Sequence, residues 1–171
     1  MSETVCKAGN SERTRTIEWS DPLISAEAAA VLPGIEFLQR MVDGTIPQPP
    51  IMSTLGARLE AVAEGQAVFT MTPSESHYNP IGSVHGGVYC TLLDSAAACA
   101  IHTLLPAGVG YTSLDLSVRF VGRISVDTGL VRCTGTVTHM GRRTALAEAV
   151  LTSRNGKLLA TATSSCLILS A

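Results

Sequence analysis

The sequence predicts an α+β fold in which an antiparallel sheet wraps around one long central helix, with a helical extension at the N-terminus. The segment His85–Leu105 is the longest helical candidate and is apolar on almost every face, so it must be covered on most sides. Two segments before it and four after it alternate between apolar and polar residues, which is the period of a strand. Short turns join most of these segments, which favours antiparallel pairing.

The N-terminal residues lie outside this pattern. Residues 1–25 are rich in Ser, Thr and charged side chains, and we expect them to form a flexible tail. Two short helices are predicted, Ser25–Val31 with Ser25 as the cap and Ile35–Val42, separated by Pro33-Gly34. Pro47–Pro50 then predicts an extended linker. The predicted division is a tail at 1–25, a helical extension and linker at 26–50, and one domain at 51–171.

Six segments carry the alternation of strands. In the segment after the helix, strict alternation puts Leu114 and Leu116 on one face and Ser113 on the other. Asn155-Gly156 separates the last two segments and indicates a type I′ hairpin turn. The predicted strands are Ala57–Ala63, Gln66–Met71, Tyr111–Val121, Leu130–His139, Arg143–Ser153 and Lys157–Leu169.

Composition and charge exclude several classes of protein. A net charge of −2 without a basic stripe argues against nucleic-acid binding. The five cysteines lack metal-type spacing, so we expect free thiols in a reducing compartment and no metal. The longest charge-free stretch, Ser95–Leu114, contains Pro and Gly, and Met1–Ser20 is polar, which predicts neither a membrane span nor a secretory signal. We therefore expect a cytoplasmic protein.

Asp94 is a carboxylate within the most apolar helix of the chain. Burying an unpaired carboxylate costs on the order of several kcal/mol or raises its pKa. A structural role, as acceptor of a hydrogen bond from a neighbouring strand or subunit, is open at this point. A buried carboxylate of raised pKa is also what a general base needs near neutral pH.

His85-Gly86-Gly87 stands where the helix begins. Free backbone N–H groups and the positive end of the helix dipole suit this position to polarise a carbonyl oxygen, and glycines let a substrate approach the backbone. The alternative is a glycine loop needed only for the turn. Asn79 and His85 add polar groups nearby, although Asn before Pro is commonly a turn former.

Spacing separates the helix start from Asp94. His85 and Asp94 are nine positions apart, which corresponds to about 900° around an ideal helix and roughly 13 Å along its axis. The two groups are half a turn out of phase and cannot reach one carbonyl from a single regular helix. If both are functional, a second copy of the chain supplies one of them, which predicts a two-fold dimer with composite sites.

The pattern Asn79-x-x-Gly82-x-x-His85-Gly86-Gly87-(x)6-Asp94 resembles the signature of the PaaI-type, or acyl-CoA thioesterase 13-like, branch of the hotdog superfamily. The resemblance extends over about residues 50–170. It implies a hotdog fold, a homodimer of two hotdogs and commonly a homotetramer. It also implies hydrolysis of an acyl-CoA thioester at the dimer interface, without a cofactor.

The resemblance assigns roles position by position. Asp94 would be the general base or nucleophile, and the Gly86 amide of the partner chain would polarise the carbonyl. Asn79 would position the attacking water or bind near the thioester, and His85 would support the loop and the oxyanion region. Gly87 would be a substrate-binding position.

Four further residues are candidates for the site. Ser113 corresponds to a position that assists water placement in some members of the family, and Thr112 could take its place because the preceding loop varies in length. Arg142 and Arg143 lie in a predicted turn, where related proteins use basic residues to bind the CoA phosphates. Solvated turn arginines are the alternative.

Two other classes of function stay open. A non-catalytic acyl-CoA-binding protein of the same fold would not need a carboxylate inside an apolar helix. A hotdog hydratase or dehydratase would pair Asp and His closely on one helix, a spacing that this sequence lacks. The predicted activity is therefore thioester hydrolysis, in a pocket between facing helices that is lined by Leu, Val and Ala with few aromatic side chains. This lining suits aliphatic acyl chains, and aryl-acetyl groups stay open as the alternative.

Overall fold

The computed structural model describes residues 12–169 and confirms the predicted fold class. An antiparallel six-stranded sheet, in the order β1-β2-β4-β5-β6-β3, lies against one long helix, and three short helices precede it. Within this described part of the chain, no helix is both long and apolar enough to cross a membrane. The elements are α1 Pro22–Val31, α2 Gly34–Val42, α3 Pro50–Leu55, β1 Ala57–Ala63, β2 Gln66–Met71, α4 Gly86–His102, β3 Gly110–Phe120, β4 Val131–Met140, β5 Thr144–Ser153 and β6 Leu158–Leu169.

Helix α4 packs tightly on the middle of the sheet. A Cβ atom built on Gly135 of β4 would lie 2.0 Å from the carbonyl oxygen of Ala96, so the two backbones touch where neither residue has a bulky side chain. Ala96, Ala97 and Ala100 are fully buried. The alanine-rich sequence of the helix predicted this close approach. The helix ends at His102 rather than at the predicted Leu105.

The first two N-terminal helices end where predicted, at Val31 and Val42, but both begin earlier than predicted. Helix α1 begins at Pro22, because the Asp21 side chain accepts a hydrogen bond from the Leu23 N–H at 2.9 Å and Pro suits the first helical position. Ser25, the predicted cap, instead donates to the carbonyl of Pro47 at 2.7 Å.

Helix α3, which was not predicted, begins at Pro50, the last residue of the predicted extended linker. It stops at Gly56, which adopts the left-handed conformation (φ +62°) that favours glycine at a helix end. Of the predicted tail at 1–25, residues 1–11 lie outside the described residues. The division into 1–25, 26–50 and 51–171 stays a prediction.

Strand β3 contains a bulge that changes which side chains face the helix. Its pairing register with β6 shifts between Ser113 and Asp115, so Leu114 is the extra residue. Ser113 and Leu116 therefore both face α4, whereas Leu114 is 56% exposed. The prediction of strict alternation, with Ser113 opposite Leu116, was wrong at this point because an inserted residue reverses the period.

The six strands fall within one residue of their predicted ends, but the last hairpin turn was wrongly assigned. Gly156 donates to the carbonyl of Ser153 at 2.9 Å. Gly156 has a positive φ of 78°, and Asn155 does not have a positive φ. A type I′ turn needs positive φ at both central residues, so this hairpin closes through a different turn with a single left-handed glycine.

Candidate active site

Asp94 of α4 and Ser113 of β3 form the centre of the candidate site. The Ser113 hydroxyl donates a hydrogen bond to Oδ1 of Asp94 at 2.8 Å. Ser113 is exposed and Asp94 is half-buried rather than enclosed as the sequence pattern implied. Among residues 12–169, no cation forms an ion pair with Asp94, and its Oδ2 accepts no hydrogen bond from the protein. That oxygen is available to a water molecule or a substrate.

The bulge in β3 selects Ser113 as the partner of Asp94. Thr112 precedes Ser113 and pairs with Leu167 of the same neighbouring strand, β6, and no hydrogen bond joins it to Asp94. Cys166 of β6 lies behind Ser113, with its Sγ 4.0 Å from the hydroxyl oxygen. Burial raises the pKa of the Cys166 thiol, so the thiol stays protonated and its S–H points to the serine.

The start of α4 leaves one backbone amide free. His85 caps the helix, because its Nδ1 accepts a hydrogen bond from the Gly87 N–H at 2.9 Å. The Gly86 N–H has no partner in the described part of the chain. Of the two glycines, Gly86 therefore offers a donor at the positive end of the helix dipole, and Gly87 does not.

Asn79 holds the loop that leads to this helix start. Its Oδ1 accepts hydrogen bonds from the N–H groups of Ile81 at 3.1 Å and Ser83 at 3.2 Å, and its Nδ2 donates to the Ser83 hydroxyl at 3.1 Å. Asn79 and Gly86 line the same depression of about 320 Å³. Asp94 does not line it, so the two groups of predicted site residues occupy separate places on one protomer.

A cavity of about 480 Å³ reaches the Asp94–Ser113 pair. Sequence reasoning missed most of its walls, which contain aromatic side chains as well as Leu and Ala. The apolar positions of α2 predicted a helix with one buried face, but no pattern indicated what that face covers. The aromatic and imidazole side chains that line the cavity are Phe37, Phe69, His102 and Tyr111.

Arg142 and Arg143 lie in the turn between β4 and β5, exposed to solvent. They border a cavity of about 590 Å³, and within residues 12–169 neither guanidinium forms an ion pair. Thr144 of β5 pairs with Leu167 of β6, and Leu167 pairs with Thr112 of β3. The turn is therefore two strand spacings, about 10 Å, from the strand that carries Ser113.

Comparisons with known proteins identify the family of this chain. The family model described as Thioesterase superfamily matches residues 81–160. The solved structure of a phenylacetic acid degradation-related protein from Ralstonia eutropha is 30% identical, with a TM-score of 0.68 over 76% of this chain and 98% of that one. Acyl-coenzyme A thioesterase 13 from Homo sapiens is 29% identical over 60% of this chain and 72% of its own length. The 1,4-dihydroxy-2-naphthoyl-CoA hydrolase from Listeria monocytogenes is 29% identical over 64% of this chain and 87% of its own length. The chain therefore belongs to the thioesterase superfamily, in its PaaI-type hotdog branch, and is a thioester hydrolase.

Proposed function

We propose that this protein is a cytoplasmic acyl-CoA thioesterase that releases a free acid and CoA without a cofactor, with Asp94 as the general base or nucleophile. The observation that carries the proposal is the 2.8 Å hydrogen bond between Ser113 and Asp94 at the edge of a cavity of about 480 Å³. An acyl group in this cavity would present its thioester carbonyl to the carboxylate. The names of the related hydrolases favour a CoA thioester.

In the general-base route, Oδ2 of Asp94 takes a proton from water while the water oxygen bonds to the carbonyl carbon. The carbonyl oxygen becomes an oxyanion, the carbon–sulfur bond breaks, and the CoA thiolate receives the proton. Ser113 holds Oδ1 and thereby turns Oδ2 towards the reacting water. In the nucleophilic route, Oδ2 itself bonds to the carbonyl carbon, the thiolate leaves, and water hydrolyses the resulting anhydride.

The oxyanion requires a hydrogen-bond donor, and the protomer that carries Asp94 does not bring its own Gly86 amide near that carboxylate. Gly86 precedes Asp94 by eight residues on α4, which separates them by about 12 Å along the axis. We assign the role to the free amide of Gly86 of the partner subunit, across a two-fold axis. His85 caps the helix behind that amide, and Asn79 holds the adjacent loop at a position where it can bind near the thioester.

The edge of the sheet supports a dimer of this kind. Strand β3 has 11 residues and a free edge, and Leu114 and Phe120 on it are more than half exposed. A long, apolar edge strand is usually covered, and pairing of two β3 strands would cover both copies. A homodimer is then the minimal active unit, and two dimers would form the homotetramer that the family resemblance implies.

Mixing two inactive variants tests the composite site. We expect Gly86→Pro and Asp94→Asn each to be inactive alone, and a one-to-one mixture, dissociated and reassociated, to regain about a quarter of wild-type turnover. Half of the random dimers are mixed, and each of these contains one site with both groups intact. The measurement is release of free thiol from acyl-CoA.

The matched control for that experiment is Gly86→Ala. Proline is well tolerated at the first helical position, and His85 already has an extended backbone (ψ 141°) that accepts a following proline. Gly86→Pro therefore removes the N–H, while Gly86→Ala adds bulk and keeps it. Loss of activity in both variants alike, or a mixture without any recovery, would contradict a site shared between subunits.

Substrate contacts beyond the reacting carbonyl complete the proposal. Arg142 and Arg143 would bind the phosphate groups of CoA, since both guanidinium groups are exposed and unpaired in the described part of the chain. Thr112 and Gly87, both exposed, would contact the substrate on either side of the reacting carbonyl.

Replacing Ser113 by Ala should lower kcat by about 10- to 100-fold and change KM little, because a hydrogen bond to a charged group contributes about 1.5–3 kcal/mol. Ser113→Thr keeps the hydroxyl and should retain most of the activity. Ser117→Ala, on the outer face of the same strand, is the control. Equal rates for Ser113→Ala and Ser117→Ala, measured by thiol release, would remove Ser113 from the mechanism.

A further inference from the structure

The cavity beside Asp94 follows one face of α4. Asp94, Ala98 and His102 all line it, and these residues are spaced by four, so they lie nearly above one another on the helix. His102 follows Asp94 by eight positions, which corresponds to about 12 Å along the axis. The cavity is therefore an elongated pocket with the candidate catalytic carboxylate near one end.

The N-terminal helices supply much of the opposite wall. Ala29 of α1, Phe37 and Met41 of α2, and Met52 of α3 all line the cavity, and the last three are at most 6% exposed. These helices precede residues 81–160, which match the family model. The N-terminal extension is thus packed into the pocket wall.

Three rings close the pocket at the end away from Asp94. The His102 ring lies 5.3 Å from the ring of Phe37 and 5.0 Å from the ring of Tyr111, measured between centroids. The Gly34 N–H donates to the carbonyl of Leu105 at 2.9 Å, which ties the start of α2 to the end of α4. A Cβ atom on Gly34 would lie 1.7 Å from the His102 carbonyl oxygen, so there is no gap at this junction.

Apart from Asp94 at one end, the side chains that line the pocket are uncharged. Burial lowers the pKa of His102 to about 4, so its imidazole is neutral at pH 7. Burial also raises the pKa of Tyr111 well above its ordinary value, so the phenol stays protonated. Asp94 is then the charged side chain among the lining residues that the structure describes, and an acyl group with a second carboxylate would find no cation inside.

We propose that this pocket binds the acyl chain and measures its length, so that the enzyme prefers linear, medium-chain acyl-CoA of about eight to ten carbons. Carbon–carbon bonds of about 1.5 Å in a zigzag take about eight to ten carbons to cover the length of the pocket. The volume of about 480 Å³ lies in the usual range for small-molecule sites. This inference rests on the proposed function and adds the substrate class.

The test compares kcat/KM for linear acyl-CoAs from acetyl to palmitoyl. We expect a maximum at octanoyl- to decanoyl-CoA and a value at least about tenfold lower for palmitoyl-CoA. Ala98→Leu fills the middle of the pocket and should move the optimum to shorter chains. Phe37→Leu opens the closed end and should move it to longer ones. Val31→Ala, at a residue of α1 that is 70% exposed and does not line the pocket, should leave the profile unchanged.

Several outcomes would overturn the inference. A profile that is flat with chain length, a faster reaction with phenylacetyl-CoA than with any linear substrate, or an unchanged optimum in both pocket variants would each do so. Absence of hydrolysis with every substrate would instead contradict the proposed function. Calorimetry with acetate, decanoate and palmitate then tests the pocket separately from catalysis. Decanoate should bind most tightly to the wild type, and its affinity should be at least about tenfold lower for Ala98→Leu. Equal affinity of the wild type and Ala98→Leu for decanoate would contradict the assignment of the pocket.

Discussion

Asp94→Asn is expected to lower kcat for acyl-CoA hydrolysis by about 10²- to 10⁴-fold, the range that a positioned acid–base group contributes. The amide has the shape of the carboxylate and can still accept the hydrogen bond from Ser113 that spans 2.8 Å in the wild type. It can neither take a proton from water nor attack the carbonyl. The measurement is steady-state thiol release, with sedimentation to verify that the variant associates like the wild type.

A second readout separates chemistry from binding. Because Asp94→Asn removes a reacting group and keeps the pocket walls, the dissociation constant for decanoyl-CoA should change little. Asp127→Asn is the matched control, since Asp127 is exposed in a short turn before β4. Full activity in Asp94→Asn would exclude both the base and the nucleophile role. Unchanged binding with lost turnover would also distinguish an enzyme from a non-catalytic acyl-CoA-binding protein.

Local patterns were sufficient to predict most of the fold. The strands alternate with a period of two, and the helix is apolar on almost every face. Each of these patterns depends on the burial of one element, so it can be recognised in the sequence of that element alone. The same reasoning located Asp94 and Gly86 and separated them along α4. The separation follows from helix geometry alone, so it did not depend on knowing how the sheet packs.

Features that depend on tertiary contacts could not be predicted from the sequence. The bulge at Leu114 comes from the pairing of β3 with β6, and no residue type there marks it. It decided that Ser113, and not Thr112, meets Asp94. The pocket walls were missed for a related reason: the periodicity of α2 predicts a buried face, but its partner on α4 is separated by a long stretch of sequence.

Among substitutions within the sheet, Gly135→Ala has the largest expected effect on stability. A Cβ atom at this position would lie 2.0 Å from the carbonyl oxygen of Ala96 and 2.7 Å from the N of Ala97. Both are backbone atoms of α4, so no side-chain rotation can relieve the overlap, and the helix must move away from the sheet. We expect the free energy of unfolding to fall by about 3 kcal/mol, measured as a lower urea midpoint.

Gly110→Ala provides the comparison, because a Cβ atom there would meet only the side chain of Leu169 at 3.7 Å, an ordinary contact. Its unfolding free energy should change by no more than about 0.5 kcal/mol. Ala96 follows Asp94 by two residues on α4, so a helix displaced by Gly135→Ala also displaces the carboxylate from Ser113. A shift of about 1 Å can cost about 10²-fold in rate, and the folded fraction of Gly135→Ala should therefore be slow as well as unstable. If Gly135→Ala were as stable as Gly110→Ala, α4 and β4 could not be in backbone contact. The position of Asp94 over β3 would then have to be set by another part of the fold.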